Sequence, residues 1–300
     1  MKSGSYVSNE RSKGAIRSGR KSINTFNIFA NVVMIFTILS IVIPLYFLVI
    51  TAFKSYGEAY KVPPTFVPEN PTLEGFEIIA KFGADVGKAL FNSLVVSFGV
   101  TSSALLFSTM AGFSFVIHRY KLKEVLFVAI ILKYILPEAM LVVPWYYLII
   151  KLGLIDNLFA IIAPNLVGAW TIFFTRSYIM QIPRDYIDAA RVDGANDYQI
   201  FFRIIFPLIK PAIGVATVMN FLWSWNYFLW PLIAINSKDK FTLPLVVATV
   251  RYVYGGGGEM LPHLGALAAS TLVYILPIVI LYVFTQKWIV EAFTLSGIKR

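Results

Sequence analysis

Six long apolar stretches, at roughly 27–53, 89–117, 125–150, 157–180, 212–235 and 265–286, alternate along the chain with shorter polar segments. Each is near the twenty or so residues that a helix needs to cross a hydrocarbon core. Those at 27–53, 89–117, 212–235 and 265–286 contain no Asp, Glu, Lys or Arg. A transmembrane strand would show about ten residues of strict alternation, which none of the six does. The pattern predicts an all-α polytopic membrane protein with six transmembrane helices. Pro44, Pro137, Pro144, Pro164, Pro231 and Pro277 fall within these stretches. Membrane helices tolerate the kinks they cause when neighbouring groups satisfy the freed carbonyls.

Composition agrees. Of 300 residues, 58% are apolar and only 14% charged, against about a quarter charged in soluble domains, so a water-soluble globule and a disordered chain are both excluded. An even number of spans puts both termini on one side, and the basic residues choose the side. Seventeen Lys and Arg lie in the N-terminal segment, the 118–124 loop, the 176–210 region and the C-terminal end, against eight in the opposite loops. Both termini are therefore expected in the cytoplasm of a cell-membrane, multi-pass protein. The net charge of +10 follows from this asymmetry and does not call for nucleic acid. The expected organisation is a polar tail at 1–26, a six-helix transmembrane domain at 27–293 with a cytoplasmic loop at 181–207, and a short tail at 294–300. The first span is too long for a signal-peptide core, and no small-residue cleavage site follows it.

Enzyme chemistry is sparse. Cysteine is absent, and the two histidines, His118 and His263, fall in separate loops on opposite sides. No HExxH, GxSxG, metal-spaced cluster or GxxxxGK[ST] occurs, so the chain is not expected to be an enzyme or to hydrolyse ATP. The run Gly255–Gly258 reads as a flexible external loop. Lys133 and Glu138 both fall within the third span, where an ion is a functional candidate by default. Five residues apart, they sit on different faces of an ideal helix. A kink at Pro137 could expose a cavity lined by Glu138; alternatively Lys133 packs on another helix and Glu138 balances a local positive charge.

The segment between the fourth and fifth spans differs in character. It runs from Gln181 to Pro207 and contains Asp188-Ala189-Ala190-Arg191-Val192-Asp193-Gly194-Ala195. Pro183 suits a first helical position, and Asp185 and Asp188 suit the early turns through the helix dipole. Gly194 suits a helix end. Tyr186, Ile187, Ala190 and Ala195 are expected to form an exposed apolar side, the mark of a protein partner.

This segment resembles the EAA loop of ABC importer permeases: Asp188-Ala189-Ala190, then Gly194 at the family's spacing, then Ile204, Phe206 and Pro207 at its I-x-L-P positions. Asp188 stands for Glu and Phe206 for Leu. The six spans, the segment Trp223-Ser224-Trp225-Asn226-Tyr227-Phe228-Leu229-Trp230-Pro231-Leu232 and the tail Leu295-Ser296-Gly297-Ile298-Lys299 are similar to the carbohydrate-uptake, MalG-like branch. The resemblance implies a permease subunit that forms a translocation path with a second permease. It also implies an ATPase dimer gripping Asp188, Ala189, Ala190, Asp193, Gly194, Ala195 and Pro207, and touched by the tail at Ser296, Gly297 and Lys299. By the same resemblance, an extracytoplasmic sugar-binding protein is expected to deliver the sugar substrate, and ATP and Mg to be handled by the partner ATPase, with no cofactor on this chain. For Asp188, helix-dipole compensation alone is the competing role.

Sugars need aromatic faces and amides, which nominates Trp223, Trp225, Asn226, Tyr227 and Trp230, with Glu138, as the substrate path. Helical spacing pairs Asn226 with Trp230 and Trp223 with Tyr227; an interfacial aromatic belt would account for the same residues. Asn92 and Ser93 are weaker candidates. Alternatives are a permease for a charged solute such as glycerol phosphate, a self-sufficient secondary carrier, and a membrane enzyme acting on lipid. The carrier would need an internal repeat, and the enzyme a metal or carboxylate cluster.

Overall fold

The structure, a computed structural model, describes residues 25–81, 85–250 and 262–297, with side chains for 27–81, 85–250 and 262–287. Among the described residues every regular element is helical. In chain order these are α1 (Thr25–Ala52), α2 (Tyr56–Ala59), α3 (Glu74–Lys81), α4 (Val86–Ile117), α5 (Lys123–Ile135) and α6 (Glu138–Lys151). Next come α7 (Leu158–Ile162), α8 (Ala169–Ile179), α9 (Asp185–Val192), α10 (Asp197–Ile200), a π-helical turn (Phe201–Ile205) and α11 (Phe206–Leu208). The series ends with α12 (Lys210–Trp225), α13 (Leu229–Ala234), α14 (Leu243–Val250) and α15 (Leu264–Gly297).

The chain falls into two units, Met1–Tyr46 and Phe47–Arg300. The described part of the first belongs to α1, whose side chains from Ile28 to Tyr46 are exposed almost throughout. A helix apolar on every face and covered on none needs lipid around it. Its few hydroxyls are satisfied internally: Thr37 Oγ1 donates to the Val33 carbonyl at 2.9 Å and Ser40 Oγ to that of Thr37 at 2.8 Å.

In the second unit α4 is the central helix, packed on α8 and α12, and α15 packs on α3, α12 and α14. Between membrane helices, packing rests on close approach of small residues. Gly112 shows this: a Cβ there would lie 2.7 Å from Thr175 Oγ1 and 3.1 Å from the Arg176 amide nitrogen of α8. Asn92 and Ser93, the weaker path candidates, serve the scaffold instead. Asn92 Nδ2 donates to the carbonyls of Asp239 and Phe241 at 2.9 and 3.0 Å, and Ser93 Oγ accepts from the Leu243 amide at 2.8 Å, fastening the 238–243 segment to α4.

Among the described residues three helices, α1, α4 and α15, are long and apolar enough to cross a membrane, and up to six spans result if each of three bent pairs counts as one. The bends are sharper than the proline kinks that the sequence suggests. The stretch at 125–150 is α5 and α6 at 103° to each other. Leu136 is extended (ψ 131°) because the ring of Pro137 disfavours a helical residue before it. The stretch at 157–180 bends by 41° ahead of α8. The stretch at 212–235 stops at Trp225 and resumes at Leu229. Pro231 has no N–H for the Tyr227 carbonyl, which weakens the helix at that turn. At its far end, α15 continues to Gly297, past the expected limit of the sixth span.

A clasp ties two of the loops. Asp156, at φ 57°, accepts from the Asn236 and Ser237 amides at 3.0 and 2.9 Å, from Ser237 Oγ, and from Lys240 Nζ at 3.1 Å. The hydroxyl and amide of Ser237 are the main reason its carboxyl lies well below the ordinary carboxylate range.

Candidate coupling segment and transport cavity

The 181–207 segment folds as a short helix, a tight turn and a bent helix. α9 begins at Asp185, with the carbonyls of Pro183 and Arg184 accepting from its first amides. Its end is a complete Schellman motif. The Gly194 amide donates to the Arg191 carbonyl at 3.0 Å and the Ala195 amide to that of Ala190 at 2.9 Å, with Gly194 at φ +81°. Asn196 then opens α10 with a reciprocal capping box: the Gln199 amide reaches Asn196 Oδ1 and the Asn196 amide reaches Gln199 Oε1, both at 2.9 Å. The π turn precedes Pro207. The Phe206 amide reaches back five residues to the Phe201 carbonyl, and Pro207 cannot supply the usual donor to Arg203. The helical run Asp197–Leu208 then meets α12 at 83°, so this segment lies across α12 instead of extending it.

The faces of α9 differ from the sequence expectation. Ile187 and Ala190, assigned to an exposed apolar side, are buried with Phe113 of α4, Ile179 of α8, and Ile200, Phe201 and Ile205. Three residues apart, they share one face, and that face is the anchor. The outward face carries Tyr186, Asp188, Ala189, Val192 and Asp193, with Gly194 at its end and Tyr198 just beyond. A polar connection leads inward from it. Asp197 takes His118 Nε2, at the end of α4, at 2.9 Å on one oxygen and Arg191 of α9 at 3.4 Å on the other. The hydrogen bond from His118, followed by the charges of His118 and Arg191, holds the Asp197 carboxyl below its ordinary value.

The second candidate is a cavity of about 930 Å³ bounded by the α5–α6 bend, the start of α8, the end of α12 and the start of α13. This is the size of small-molecule sites. Its lining includes Val100 of α4, and the polar and aromatic side chains Lys133, Glu138, Asn165, Trp170, Thr171, Asn220, Trp223, Asn226 and Tyr227. Glu138 and Lys133 both face it because the chain turns between them at Pro137. The rings of Trp223 and Tyr227 lie 4.6 Å apart, the pair that spacing nominates. Tyr274 Oη donates to Asn226 Oδ1, and Asn226 Nδ2 donates to the Leu222 carbonyl at 2.5 Å. Asn220 and Thr171 hydrogen-bond across α12 and α8 at 2.9–3.1 Å. Among the described residues the Glu138 Oε1 and Tyr227 Oη atoms are buried and make no hydrogen bond of normal geometry, although Glu138 and Asn165 lie close enough to Tyr227 to interact with it.

Not every nominated residue reaches this cavity. Trp225 and Trp230 do not line it and are fully buried elsewhere. The Trp225 indole donates to the Tyr274 carbonyl at 3.2 Å and its ring stacks on Phe221, while the Trp230 indole donates to the Ala160 carbonyl at 2.9 Å. The helix break at 226–228 also separates Asn226 from Trp230, so their nominal shared face does not exist. Asn165, Trp170 and Thr171 were not anticipated. Their signal was Pro164 and Gly168, which mark a broken helix, the usual lining of a membrane cavity. Ser296 and Gly297 lie in the last turn of α15, their side chains outside the described part, and Lys299 and the Gly255–Gly258 run lie outside the described residues.

Residues 15–294 match the family described as binding-protein-dependent transport system inner membrane component. The arabinooligosaccharides transport system permease protein AraQ of Bacillus subtilis (strain 168) is 33% identical over 258 residues, 85% of this chain and 90% of the relative. The lactose transport system permease protein LacG of Rhizobium radiobacter is 34% identical, covering 72% and 78%. The sn-glycerol-3-phosphate transport system permease protein UgpE of Escherichia coli O1:K1 / APEC is 29% identical, covering 87% and 94%. A chain from the crystal structure of a bacterial ABC transporter involved in the import of the acidic polysaccharide alginate shares the fold, with a TM-score of 0.77 at 20% identity, over 88% of this chain and 96% of that one. With the helical bundle, the turned segment and the cavity in place, the chain belongs to the binding-protein-dependent transport system inner membrane components, the permease family of ABC importers.

Proposed function

We propose that this chain is the transmembrane permease subunit of an ATP-driven, binding-protein-dependent sugar importer. Its partners are a second permease, an ATPase dimer and an extracytoplasmic sugar-binding protein. The sugar relatives AraQ and LacG support an oligosaccharide more strongly than the less similar UgpE supports a phosphorylated solute. In this reading six spans place both termini and the 181–207 segment in the cytoplasm, with the outward face of α9 (Asp188, Ala189, Asp193, Gly194) against the ATPase. Ala190 and Pro207 shape the segment from within, and the tail at Ser296, Gly297 and Lys299 reaches the ATPase dimer. ATP and Mg stay with the ATPase.

The observation that carries the reading is the route from α9 to the cavity. The helix is fixed at its buried face by Ile187 and Ala190, at its end by the Gly194 turn, and to α4 through Asp197 and His118. α4 then contributes Val100 to the cavity wall. A displacement of α9 by ATPase closure moves α4 as a rigid lever and reshapes the cavity; coupling requires such a shared two-state element. In the cavity, Trp223 and Tyr227 offer rings to the C–H faces of a sugar. Asn226, Asn165, Glu138 and Tyr227 offer hydrogen bonds to its hydroxyls. The test is reconstitution of the four-component system in liposomes. ATP-dependent uptake of an arabino-oligosaccharide, absent without the ATPase, is expected. Uptake by this chain alone driven by an ion gradient, or uptake of glycerol phosphate and no sugar, would overturn the reading.

A further inference from the structure

The turn joining α4 to α5 carries a second site, unrelated to the cavity. A shallow hollow of about 520 Å³ is bounded by Arg119, Tyr120, Lys121, Lys123, Glu124 and Val125. Three of these six side chains are cationic. The one carboxylate is already engaged: Arg176 of α8 donates to both oxygens of Glu124, at 3.0 and 3.2 Å. Lys123 spends one proton on the His118 carbonyl at 3.2 Å. Among the described residues Arg119 and Lys121 form no ion pair, and both are exposed. The hollow therefore has uncompensated positive charge.

Its other features favour one kind of anion. α5, thirteen residues long, starts here at Lys123 with no side-chain cap; the Lys123 amide is taken by the Tyr120 carbonyl at 3.2 Å, and the positive end of the helix dipole adds to the field. Directly below, α5 exposes an apolar stripe: Leu122, Val125, Leu126, Val128 and Leu132 are between 48% and 64% accessible. Cations and a positive helix end above a bare apolar helix face match a molecule with a phosphate at one end and hydrocarbon at the other. A nucleic acid would have no use for the stripe. We propose that this hollow binds the headgroup of an anionic phospholipid, with the acyl chains laid along α5. The assignment does not depend on the direction of transport or on the substrate.

The test uses the full-length protein, released from vesicles holding equal phosphatidylglycerol and phosphatidylcholine, with retained lipids counted by native mass spectrometry. Retention of phosphatidylglycerol about thirtyfold over phosphatidylcholine is expected, the scale of two juxtamembrane cations acting together. The double variant Arg119→Gln, Lys121→Gln should bring the ratio to within about twofold, while Arg119→Lys, which keeps the charge, should preserve it. Equal retention of both lipids by the wild type, or an unchanged ratio in the double variant, would overturn the proposal. An excess of inorganic phosphate should leave the lipid in place; its displacement would assign the hollow to a free anion and sink the lipid assignment.

Discussion

Gly194 offers the sharpest perturbation of the coupling segment. It sits at φ +81°, in the left-handed region that closes the Schellman turn after α9, and nothing lies within 4 Å of the position a Cβ would take. A side chain there meets no steric wall within the chain, so its cost is confined to the backbone. For a residue with a Cβ that cost is about 1–2 kcal/mol, and it is greatest for a β-branched side chain. The turn is held by two hydrogen bonds, Gly194 to Arg191 and Ala195 to Ala190, so strain of this size competes directly with their formation. If only molecules that keep the turn can dock, apparent ATPase affinity falls by the fraction that keep it. The limit is about fivefold to thirtyfold. Gly194→Val should approach that limit, and Gly194→Asn, which tolerates the left-handed region, should retain most of the affinity. Gly194→Asp adds a charge beside Asp193 and should bind more weakly than the Asn variant. The assay is titration of the ATPase subunit against the reconstituted permease pair, with sugar-stimulated ATP hydrolysis as the second readout. A Gly194→Val complex with wild-type affinity and stimulation would refute the argument.

In the cavity, Tyr227→Phe and Asn226→Ala should lower sugar uptake without loss of assembly or of basal ATP hydrolysis, as measured on the purified complex. Trp225→Ala should instead lower thermal stability, by roughly the 3–5 kcal/mol typical of deleting a buried aromatic; normal stability with lost uptake would return Trp225 to the substrate path. Gly112→Val should weaken the packing of α4 on α8, because its Cβ would meet Thr175 and the Arg176 backbone, and should appear as reduced yield of folded protein. Acidification should loosen the Asp197 clasp. A carboxyl whose native value is depressed stabilises fully above its unfolded value of about 4 and loses that contribution as pH falls through the native one. Stability of the wild type and Asp197→Asn should therefore differ at pH 7 and converge in strong acid, by thermal unfolding of the complex.

The helical class and the approximate positions of the apolar segments were legible because lipid imposes a long, uniform apolar run that few other environments require. Gly194 was legible for a similar reason: a glycine after a short amphipathic run has one dominant use at a helix end. The breaks were harder to read. Pro44 and Pro277 lie within continuous helices, while Pro137 accompanies a 103° bend, so proline alone did not say which span would fold back. The two faces of α9 were also ambiguous. Its apolar residues fit either a partner or the bundle, and only the proximity of Phe113 and Phe201 decides that Ile187 and Ala190 turn inward. The same holds for the tryptophans: spacing on an ideal helix linked Asn226 with Trp230, and the interruption before Pro231 removed the link. Lys133 and Glu138 were visible as intramembrane charges, but only the bend puts both on one cavity.

Chemical cross-linking of the outward face of α9 tests the account most directly. The chain has no cysteine, so a single one at Ala189, Val192 or Asp193 can be addressed without background. In membranes carrying the whole importer, a short bismaleimide should join Val192→Cys to a cysteine in the ATPase subunit, with a yield that changes on ATP binding. A membrane-impermeant maleimide added to intact cells should not label it. Labelling of Val192→Cys and Asp193→Cys from outside intact cells, with no ATPase product from either, would contradict the assignment of this segment as the cytoplasmic coupling element.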